Sequence, residues 1–283
     1  MSEIQFTKMH GCGNDYVYVD LFKEKIDDPE AFAIKVSHRQ FGIGSDGLIM
    51  IGPTKDADIE MIMFNADGSK SEMCGNGVRC VAKYAVDHNL IERQPKTIEI
   101  LTGDGVKKIE LIYDENYKVE NCIVEMGVPI LDGLKIPTNI DQSEIINHPV
   151  QVLDIEFQIT CVSMGNPHCI VYVDDVKFFE VEKYGSILEN HELFPNRVNV
   201  EFVQIVSPDE VIQRTWERGS GETWACGTGA SAVCVAGILT HQTNTKILNH
   251  LTGGDLTLEW KGPGEPLYMT GPAEEVFTGS IEI

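Results

Sequence analysis

The feature that most constrains this chain of 283 residues is an internal repeat. The segment Met73–Gly77, with the sequence MCGNG, recurs about 150 residues later as Ala225–Gly229, with the sequence ACGTG. A polar loop containing glycine precedes each copy, and an apolar stretch follows it, VRCVAKYAV in the first and ASAVCVAGIL in the second. The repeat therefore predicts two equivalent helices, each with a cysteine at its start.

Two further pairs of segments keep the same order and nearly the same offset. Asn14–Asp20 (NDYVYVD) resembles Asn166–Asp174 (NPHCIVYVD), and Thr102–Gly105 resembles Thr252–Asp255. The period is too long for a solenoid, whose units run to roughly 20–50 residues. We expect a duplicated domain with two copies of roughly 130 to 150 residues. Equivalent loops of two such copies can meet in a cleft, which is a common place for a small-molecule site.

The local sequence predicts mixed secondary structure. The segments IVYVDD, VEFVQIV, LTLEW and IEILTG are rich in β-branched and aromatic residues and are typical of strands. The segment DPEAFAIKVSHRQ predicts an amphipathic helix opened by Asp28 and Pro29. Residues 230–239 are apolar on every side, which predicts an enclosed helix. We expect a mixed α/β (α+β) fold of two pseudo-symmetric domains, each a mixed or antiparallel sheet wrapped around a central helix, and not a doubly wound sheet.

Composition argues against several classes of function. The formal net charge of −22 disfavours nucleic acid and anionic membranes as partners. The sequence has neither a basic start followed by an apolar run nor a long apolar segment, so we expect a cytoplasmic protein without signal peptide or membrane span. The eight cysteines form no CxxC and no zinc-ligand spacing, so no metal site is expected. Five of them have apolar neighbours and are predicted to be buried: Cys80, Cys122, Cys161, Cys169 and Cys234.

Cys74 and Cys226 stand apart because each precedes Gly-x-Gly at a predicted helix start. Free backbone N–H groups and the positive end of the helix dipole favour a thiolate there, so we expect a lowered thiol pKa. Inversion at a carbon needs a base on one face and an acid on the other. Two thiols at equivalent positions of a duplicated chain supply that pair, with a substrate carboxylate held by the helix N–H groups.

These motifs allow other interpretations. The two cysteines could form a redox pair, although redox partners usually lie close in sequence, or they could simply pack the helix ends. A cysteine protease would leave the duplication unexplained. Gly42–Gly47 fits the dinucleotide pattern G-x-G-x-x-G, but it follows a predicted helix and precedes an apolar run, the reverse of the required order. We therefore predict no nucleotide site there.

The segments KMHGCGNDY, FNADGSKSEMCGNGVRC, MGNPH, RVNVEF and ERGSGETWACGTGASA resemble the diaminopimelate epimerase family, in order and across essentially the whole chain. The resemblance implies reversible epimerisation of LL- to meso-diaminopimelate in lysine and peptidoglycan-precursor biosynthesis, by a homodimer that uses no pyridoxal phosphate, metal or nucleotide. With it we expect an N-terminal domain over residues 1–125, completed by residues 271–283, and a C-terminal domain over residues 126–270.

The resemblance also implies a role for each matching residue. Cys74 and Cys226 correspond to the family's two acid/base residues, and His168 and Glu217 to the pair that assists them. The remaining matches are to substrate contacts: Asn14, Asn65, Asn166 and Asn199, the distal-head residues Glu217 and Arg218, and the α-carboxylate residues Gly75, Asn76, Gly227 and Thr228. Some members carry Gln where this chain has Gly47, so that contact is absent or replaced here. For His10 and Cys12 we expect packing or loop shaping.

Three alternatives stay open at this level. Another two-thiol racemase, acting on proline or hydroxyproline, would not need residues for a distal head. A relative that binds an amino acid without turning it over is disfavoured by the retention of both cysteines. A thiol redox protein would form a Cys74–Cys226 disulfide with a measurable reduction potential. The sequence does not assign which thiol is ionised at rest, since two such groups can titrate as a pair.

Overall fold

The computed structural model describes residues 3–71, 73–91 and 94–282. In these ranges the first elements along the chain are β1 (Glu3–Gly11), β2 (Asn14–Asp20), α1 (Pro29–Ser37), β3 (Gly47–Gly52), β4 (Ile59–Asn65), β5 (Lys70–Ser71), α2 (Gly75–Asp87), β6 (Thr97–Thr102), β7 (Gly105–Tyr113) and β8 (Val119–Gly127). They are followed by β9 (His148–Val152), β10 (Ile155–Ser163), β11 (Pro167–Tyr172), α3 (Val181–Glu189), β12 (Asn199–Ser207), β13 (Glu210–Glu217), β14 (Gly221–Thr223), α4 (Gly227–Leu239), β15 (Lys246–Leu251), β16 (Gly254–Trp260), β17 (Leu267–Pro272) and β18 (Glu274–Glu282).

The chain divides into two compact units, one formed by residues 1–124 with 271–283 and the other by residues 125–270. In the first unit, β1 pairs antiparallel with β2 and with β18. β2 then runs parallel to β3, β3 antiparallel to β4, and β4 parallel to β6. β6, β7 and β8 continue as an antiparallel meander, and the short β5 pairs with β4.

The second unit repeats this pattern of pairing strand for strand. β10 is antiparallel to β9 and β11, β11 is parallel to β12, and β12 is antiparallel to β13. β13 is parallel to β15, which continues antiparallel into β16 and β17, and the short β14 pairs with β13. The same succession of parallel and antiparallel partners in both units confirms the predicted duplication of a mixed sheet.

Each unit holds one helix against the inner face of its strands and one against the outer face. In the first unit, α2 contacts β1, β2, β4, β6 and β7, and ten of its thirteen residues are buried. The outer helix α1 packs against β2, β3 and β4 through Phe32, Ala33 and Val36. Because β3 lies between the two helices, all six of its residues are buried. The second unit places α4 and α3 in the same two positions.

Both predicted helices form, but α1 ends at Ser37, three residues before the end of the predicted segment, and the His38 ring accepts the Gln40 and Phe41 N–H groups. Asp28 caps α1 by accepting a hydrogen bond from the Ala31 N–H, and Pro29 occupies the first turn. Residues 229–237 of α4 are all buried, as expected for a helix that is apolar on every side. The strand predicted over IVYVDD ends earlier, at Tyr172. Its last residues turn instead, because the Asp175 carboxylate accepts a hydrogen bond from the Lys177 N–H.

In the described part of the chain, no helix is both long enough and apolar enough to cross a membrane.

Candidate active site

Each of the two singled-out cysteines is the residue that caps an inner helix. Cys74 precedes α2 in extended conformation (φ −136°, ψ 119°), and its Sγ accepts a hydrogen bond from the Gly77 N–H at 3.4 Å. Cys226 precedes α4 with nearly the same angles (φ −130°, ψ 109°), and its Sγ accepts from the Gly229 N–H at 3.4 Å. The structure thus confirms that both thiols lie at helix N-termini, where backbone donors stabilise negative charge.

Asn14 is the side chain that meets the Cys74 thiol in the first unit. Its Oδ1 lies 3.2 Å from Cys74 Sγ and 3.4 Å from Asn76 Nδ2. Its Nδ2 donates to Asp46 Oδ2 at 2.8 Å. Because an ionised carboxylate only accepts hydrogen bonds, Asp46 fixes the orientation of the Asn14 amide with the carbonyl oxygen toward the sulfur.

Asp46 belongs to a cluster of charged side chains. Arg39 reaches Asp46 at 2.8 Å and Asp15 at 2.9 Å, and Lys8 forms an ion pair with Asp15. Burial raises the pKa of Asp46, and the neighbouring Asp15 raises it further. Burial also acts to raise the pKa of Asp15, but hydrogen bonds from Arg39 and Lys8 outweigh it, so the net shift is downward.

The other first-unit residues singled out from the sequence lie at element ends. Gly75 opens α2, and Asn76 is buried in its first turn. Asn65 ends β4, and its Nδ2 donates to Ser69 Oγ at 3.0 Å across the turn into β5. Tyr16 is buried in β2, and its pKa is raised by burial first and by the nearby Cys74 next.

The remaining glycine-loop residues have structural roles in the described chain. Cys12 is buried at positive φ (52°) in the turn between β1 and β2, and His10 Nδ1 accepts a hydrogen bond from the Gly13 N–H. Gly47 opens β3, where an added Cβ would lie 2.2 Å from the Phe64 carbonyl oxygen. The Gly42–Gly47 motif connects α1 to β3 and so has the helix–loop–strand order predicted for it.

A chain of four hydrogen bonds leads to Cys226 in the second unit. Glu201 Oε1 lies 2.8 Å from His168 Nδ1, and His168 Nε2 lies 3.0 Å from Asn166 Oδ1. Asn166 Nδ2 donates to Thr228 Oγ1 at 3.3 Å, and Thr228 Oγ1 lies 3.4 Å from Cys226 Sγ. Side chains from β11, β12 and α4 and from the loop before β11 are thereby connected into one network.

The Cys226 thiol differs from the expectation drawn from its helix terminus. Its pKa is raised well above the usual range, first by burial and then by the charges of Glu217 and Glu201. The hydrogen bonds from Thr228 and the Gly229 N–H act to lower it but are smaller. The expectation of a lowered pKa was wrong for this thiol, because desolvation and two nearby carboxylates exceed the effect of the helix N-terminus.

Glu217 is the second carboxylate beside this thiol. Burial raises its pKa, while hydrogen bonds from Thr223 and Cys226 and the nearby His168 oppose the rise. The Thr223 hydroxyl donates to Glu217 Oε1 at 2.6 Å. Glu217 thus lies beside Cys226, whereas His168 lies near Glu217 and its partner at Nδ1 is Glu201.

Asn199 and Arg218 form a further part of the second-unit site. Asn199 is buried, its Nδ2 donates to the Pro167 carbonyl at 3.0 Å, and its Oδ1 accepts from the Arg218 N–H at 2.9 Å. The Arg218 side chain is exposed and donates to the Asn196 carbonyl at 3.1 Å. Gly227 opens α4 next to Met269. Within the described ranges, no group of three or more His, Cys, Asp or Glu side chains is placed to hold a metal ion.

Sequence reasoning missed three side chains of this site. Asp46 and Thr223 lie in polar loops or at a strand end, where nothing in the sequence distinguishes them from turn residues. Glu201 is different, because it interrupts the apolar strand segment VEFVQIV and is fully buried. A charged residue within an otherwise apolar strand segment is the sequence signal at this position, although strand alternation alone would place it in solvent.

The comparisons with known proteins agree with the motifs. The family model described as diaminopimelate epimerase matches residues 6–131 and 160–276. A protein of Agathobacter rectalis named diaminopimelate epimerase is 54% identical over 99% of this chain and 100% of its own length. One of Brachyspira hyodysenteriae with the same name is 50% identical, and one of Methanococcus maripaludis strain C6 is 48% identical, each over 99% of this chain and 100% of its own length.

Solved structures with little sequence similarity have the same fold. A hydroxyproline epimerase from Agrobacterium vitis, crystallised with bound trans-4-hydroxy-L-proline, is similar with a TM-score of 0.70 and 16% identity, over 99% of this chain and 91% of its own. A PhzF-family phenazine biosynthesis protein of Bacillus anthracis has a TM-score of 0.74 and 16% identity over the full length of both chains. From the family-model match and the full-length identities, the chain belongs to the diaminopimelate epimerase family.

Proposed function

We propose that this chain catalyses the reversible epimerisation of LL-2,6-diaminopimelate to the meso form, with Cys74 and Cys226 as the two acid/base residues. The observation that carries the proposal is the equivalent position of the two thiols, each capping the inner helix of a duplicated unit in a chain of this family. No other pair of cysteines in the described chain has this relation to two helix N-termini.

The reaction needs one thiolate and one thiol. The thiolate takes the proton from the α-carbon, so that a C–H bond breaks and an S–H bond forms. The thiol on the opposite face gives its proton to the same carbon, so that an S–H bond breaks and a C–H bond forms with inverted configuration. The two sulfurs have then exchanged protonation states, and the reverse reaction begins from that state.

The negative charge that develops when the α-proton leaves is carried mainly by the substrate α-carboxylate. We assign this carboxylate to the backbone N–H groups around Gly75 and Asn76 and around Gly227 and Thr228. The support for this assignment is that these residues form the first turns of α2 and α4, where backbone donors are free to bind an anion.

The other matched residues are proposed to hold and tune the substrate. Asn14, Asn65, Asn166 and Asn199 provide amide donors and acceptors, and the Glu217–Arg218 segment binds the distal amino-acid head. His168 and Glu217 assist the protonation changes of Cys226, which is supported by the position of Glu217 beside that thiol and by the hydrogen bonds that connect His168 to it through Asn166 and Thr228.

We further propose that the two compact units correspond to the two copies of the duplicated domain, that the enzyme acts in the cytoplasm as a homodimer, and that it uses no cofactor. The strong negative charge supports the absence of nucleic-acid and membrane partners.

The test is solvent deuterium incorporation at the α-carbon of LL-diaminopimelate in D2O, with reductant and no added cofactor. We expect exchange with inversion in the wild type and loss of inversion in both Cys74→Ala and Cys226→Ala. Cys80→Ala and Cys234→Ala are the matched controls, because these thiols lie in the same two helices and burial raises their pKa to about 11 and about 12. They should retain activity.

Absence of exchange in the wild type would refute the substrate assignment, and exchange of proline under the same conditions would replace it. Activity that depends on added pyridoxal phosphate would refute the two-thiol mechanism. Inversion that survives in either catalytic variant would show that the corresponding thiol is not one of the two bases.

A further inference from the structure

The carboxylate of Glu201 occupies an unusual position inside the second unit. Its side chain is 0% exposed, Oε1 meets only the His168 ring among the hydrogen bonds of the described chain, and Oε2 has no hydrogen-bond partner there. A buried negative charge is costly unless an opposite charge compensates it. His168 is the group placed to do so, since it is also 0% exposed and lies at 2.8 Å.

The His168 ring meets an oxygen at both of its nitrogens. Nδ1 faces the Glu201 carboxylate, and Nε2 faces the Asn166 carbonyl oxygen at 3.0 Å. With Glu201 ionised and the Asn166 amide oriented with Oδ1 toward the ring, neither oxygen donates a hydrogen bond, and both contacts are satisfied when the ring carries a proton on each nitrogen. The resulting positive ring and the Glu201 carboxylate then form a neutral buried pair.

This arrangement sets the direction of every hydrogen bond as far as Cys226. With its oxygen committed to His168, Asn166 can only donate to Thr228, which it does at 3.3 Å. The Thr228 hydroxyl accepts that bond, so its own proton is free to point at Cys226 Sγ at 3.4 Å. The sulfur also receives the Gly229 N–H. Two donors therefore meet the sulfur, and they act to lower its pKa against the burial and the nearby carboxylates that raise it.

The first unit has no counterpart of the Glu201–His168 pair at the equivalent positions. In the parallel pairs β2–β3 and β11–β12, Tyr16 faces Gly47 as His168 faces Asn199, so Tyr16 corresponds to His168 and Ile49 to Glu201. An added Cβ on Gly77 would lie 2.7 Å from the Ile49 side chain, and one on Gly229 would lie 2.5 Å from Glu201 Oε1. The duplicated framework thus carries the Glu201–His168 pair in the second unit, whereas in the first unit Ile49 takes the place of the carboxylate and Tyr16 lies near Cys74.

We propose that Glu201 is a positioning residue that acts through His168, Asn166 and Thr228 to direct a hydroxyl hydrogen bond onto Cys226 and so enables this sulfur to serve as the base. The inference rests on the proposed role of Cys226. The charged groups that act on this thiol are Glu217 from β13 and Glu201 from β12, and His168 from β11 lies next to both carboxylates. The charge of Glu201 acts to raise the pKa of this thiol, so the proposed effect on the direction of the hydrogen bonds opposes the effect of the charge.

Two explanations of Glu201 predict opposite results for Glu201→Gln. If the carboxylate acted only as a nearby negative charge, its removal would favour the thiolate and speed the reaction of Cys226 with an alkylating reagent. If the carboxylate positions the series of hydrogen bonds, the variant allows the hydrogen bonds of His168 and Asn166 to reverse direction. The Thr228 hydroxyl then no longer donates to the Cys226 sulfur, and alkylation slows. We expect a decrease of about tenfold, the size of a hydrogen bond to a charged group.

The primary experiment is iodoacetamide alkylation of Cys226 in a Cys74→Ser background, followed by peptide mass spectrometry, with no substrate present. Thr228→Val should slow alkylation to a similar extent. The double variant Glu201→Gln/Thr228→Val should be little slower than either single variant, because both substitutions interrupt the same series of hydrogen bonds. Val203→Ala is the control, since Val203 is buried on the same face of the same strand and makes no bond to His168. It should destabilise the fold and leave alkylation within about twofold. Faster or unchanged alkylation in Glu201→Gln would overturn the proposal.

Two further measurements complete the test. With diaminopimelate, Glu201→Gln should lower kcat about 10- to 100-fold with KM within about twofold, the range found when the carboxylate partner of a metal-bound histidine is removed. Alkylation needs no substrate, so it tests Glu201 even if the substrate assignment fails. Should the variant not fold, nitrogen NMR of His168 in the wild-type protein must show a proton on both ring nitrogens, and a bare Nε2 would overturn the proposal.

Discussion

Gly77 and Gly229 occupy the same position of the two inner helices, third from the start, and allow a matched pair of alanine substitutions. Both lie in helices with ordinary backbone angles, so alanine should gain up to about 1 kcal/mol of helix propensity at each. The two differ in what the new Cβ would meet. At Gly77 it would lie 2.7 Å from Ile49 Cδ1 and 3.2 Å from Met61 Cε, which are the ends of flexible apolar side chains.

At Gly229 the new Cβ would lie 2.5 Å from Glu201 Oε1 and 3.2 Å from its Cδ, so the carboxylate has to move. Displacing it weakens the 2.8 Å contact with His168, and a hydrogen bond between charged groups is worth about 1.5–3 kcal/mol. After the gain in helix propensity, Gly229→Ala should lose about 1–2 kcal/mol of folding free energy. Gly77→Ala should stay within about 1 kcal/mol of the wild type, because rearranging two apolar side chain ends costs little more than the helix gains.

Thermal unfolding of both variants measures this difference. A loss of about 1–2 kcal/mol corresponds to a decrease in Tm of roughly 2–8 °C for Gly229→Ala. The rate of α-proton exchange should fall in the same variant and stay near the wild-type rate in Gly77→Ala. Equal stability and equal activity of the two variants would refute the reasoning, because the Glu201 carboxylate would then move aside at no cost.

Two other outcomes follow from charged contacts in each unit. Asp46→Asn should speed alkylation of Cys74 in a Cys226→Ser background. An amide at position 46 no longer forces the Asn14 oxygen toward the Cys74 sulfur, and a nearby negative charge is lost. Unchanged alkylation would contradict the fixed orientation of Asn14. His250 lies between Asp255 and Glu210 at 2.8 and 2.9 Å, and these contacts, that with Asp255 first, raise its pKa above the usual value. The stability contributed by these pairs is therefore fully present below about pH 6.5 and is lost as the pH rises through the raised pKa. Urea unfolding at about pH 6 and about pH 8.5 should show a larger loss of stability in the wild type than in His250→Gln, by less than ~1 kcal/mol because the site is partly exposed.

The sequence was most informative where the chain repeats itself. The two MCGNG-like segments predicted both inner helices and the place of each thiol, because a cysteine before Gly-x-Gly at the start of an apolar stretch leaves few other arrangements. The same comparison predicted that the two sheets are alike. Local signals were also sufficient for α1, where Asp28 and Pro29 occupy the cap and the first turn.

The environment of the thiols could not be predicted in the same way, because it depends on which strand faces lie against the inner helices. Period-two alternation in VEFVQIV would place Glu201 in solvent, since Val200 and Phe202 face the core beside α3. Both faces of this strand are buried, so Glu201 lies inside instead. The raised pKa of Cys226 has the same origin, because burial depends on tertiary packing that the helix-terminus argument does not include.

The pairing of β1 with β18 bears on the order in which the chain can fold during synthesis. Residues 125–270 are contiguous, so all strands of the second unit are available once β17, which ends at Pro272, has left the ribosome. The first unit contains the earliest residues and yet lacks one neighbour of β1 until residues 274–282 emerge. Until then, one edge of β1 presents unpaired backbone groups that are open to pairing with another chain. Synthesis of the first unit thus begins before that of the second unit and ends after it.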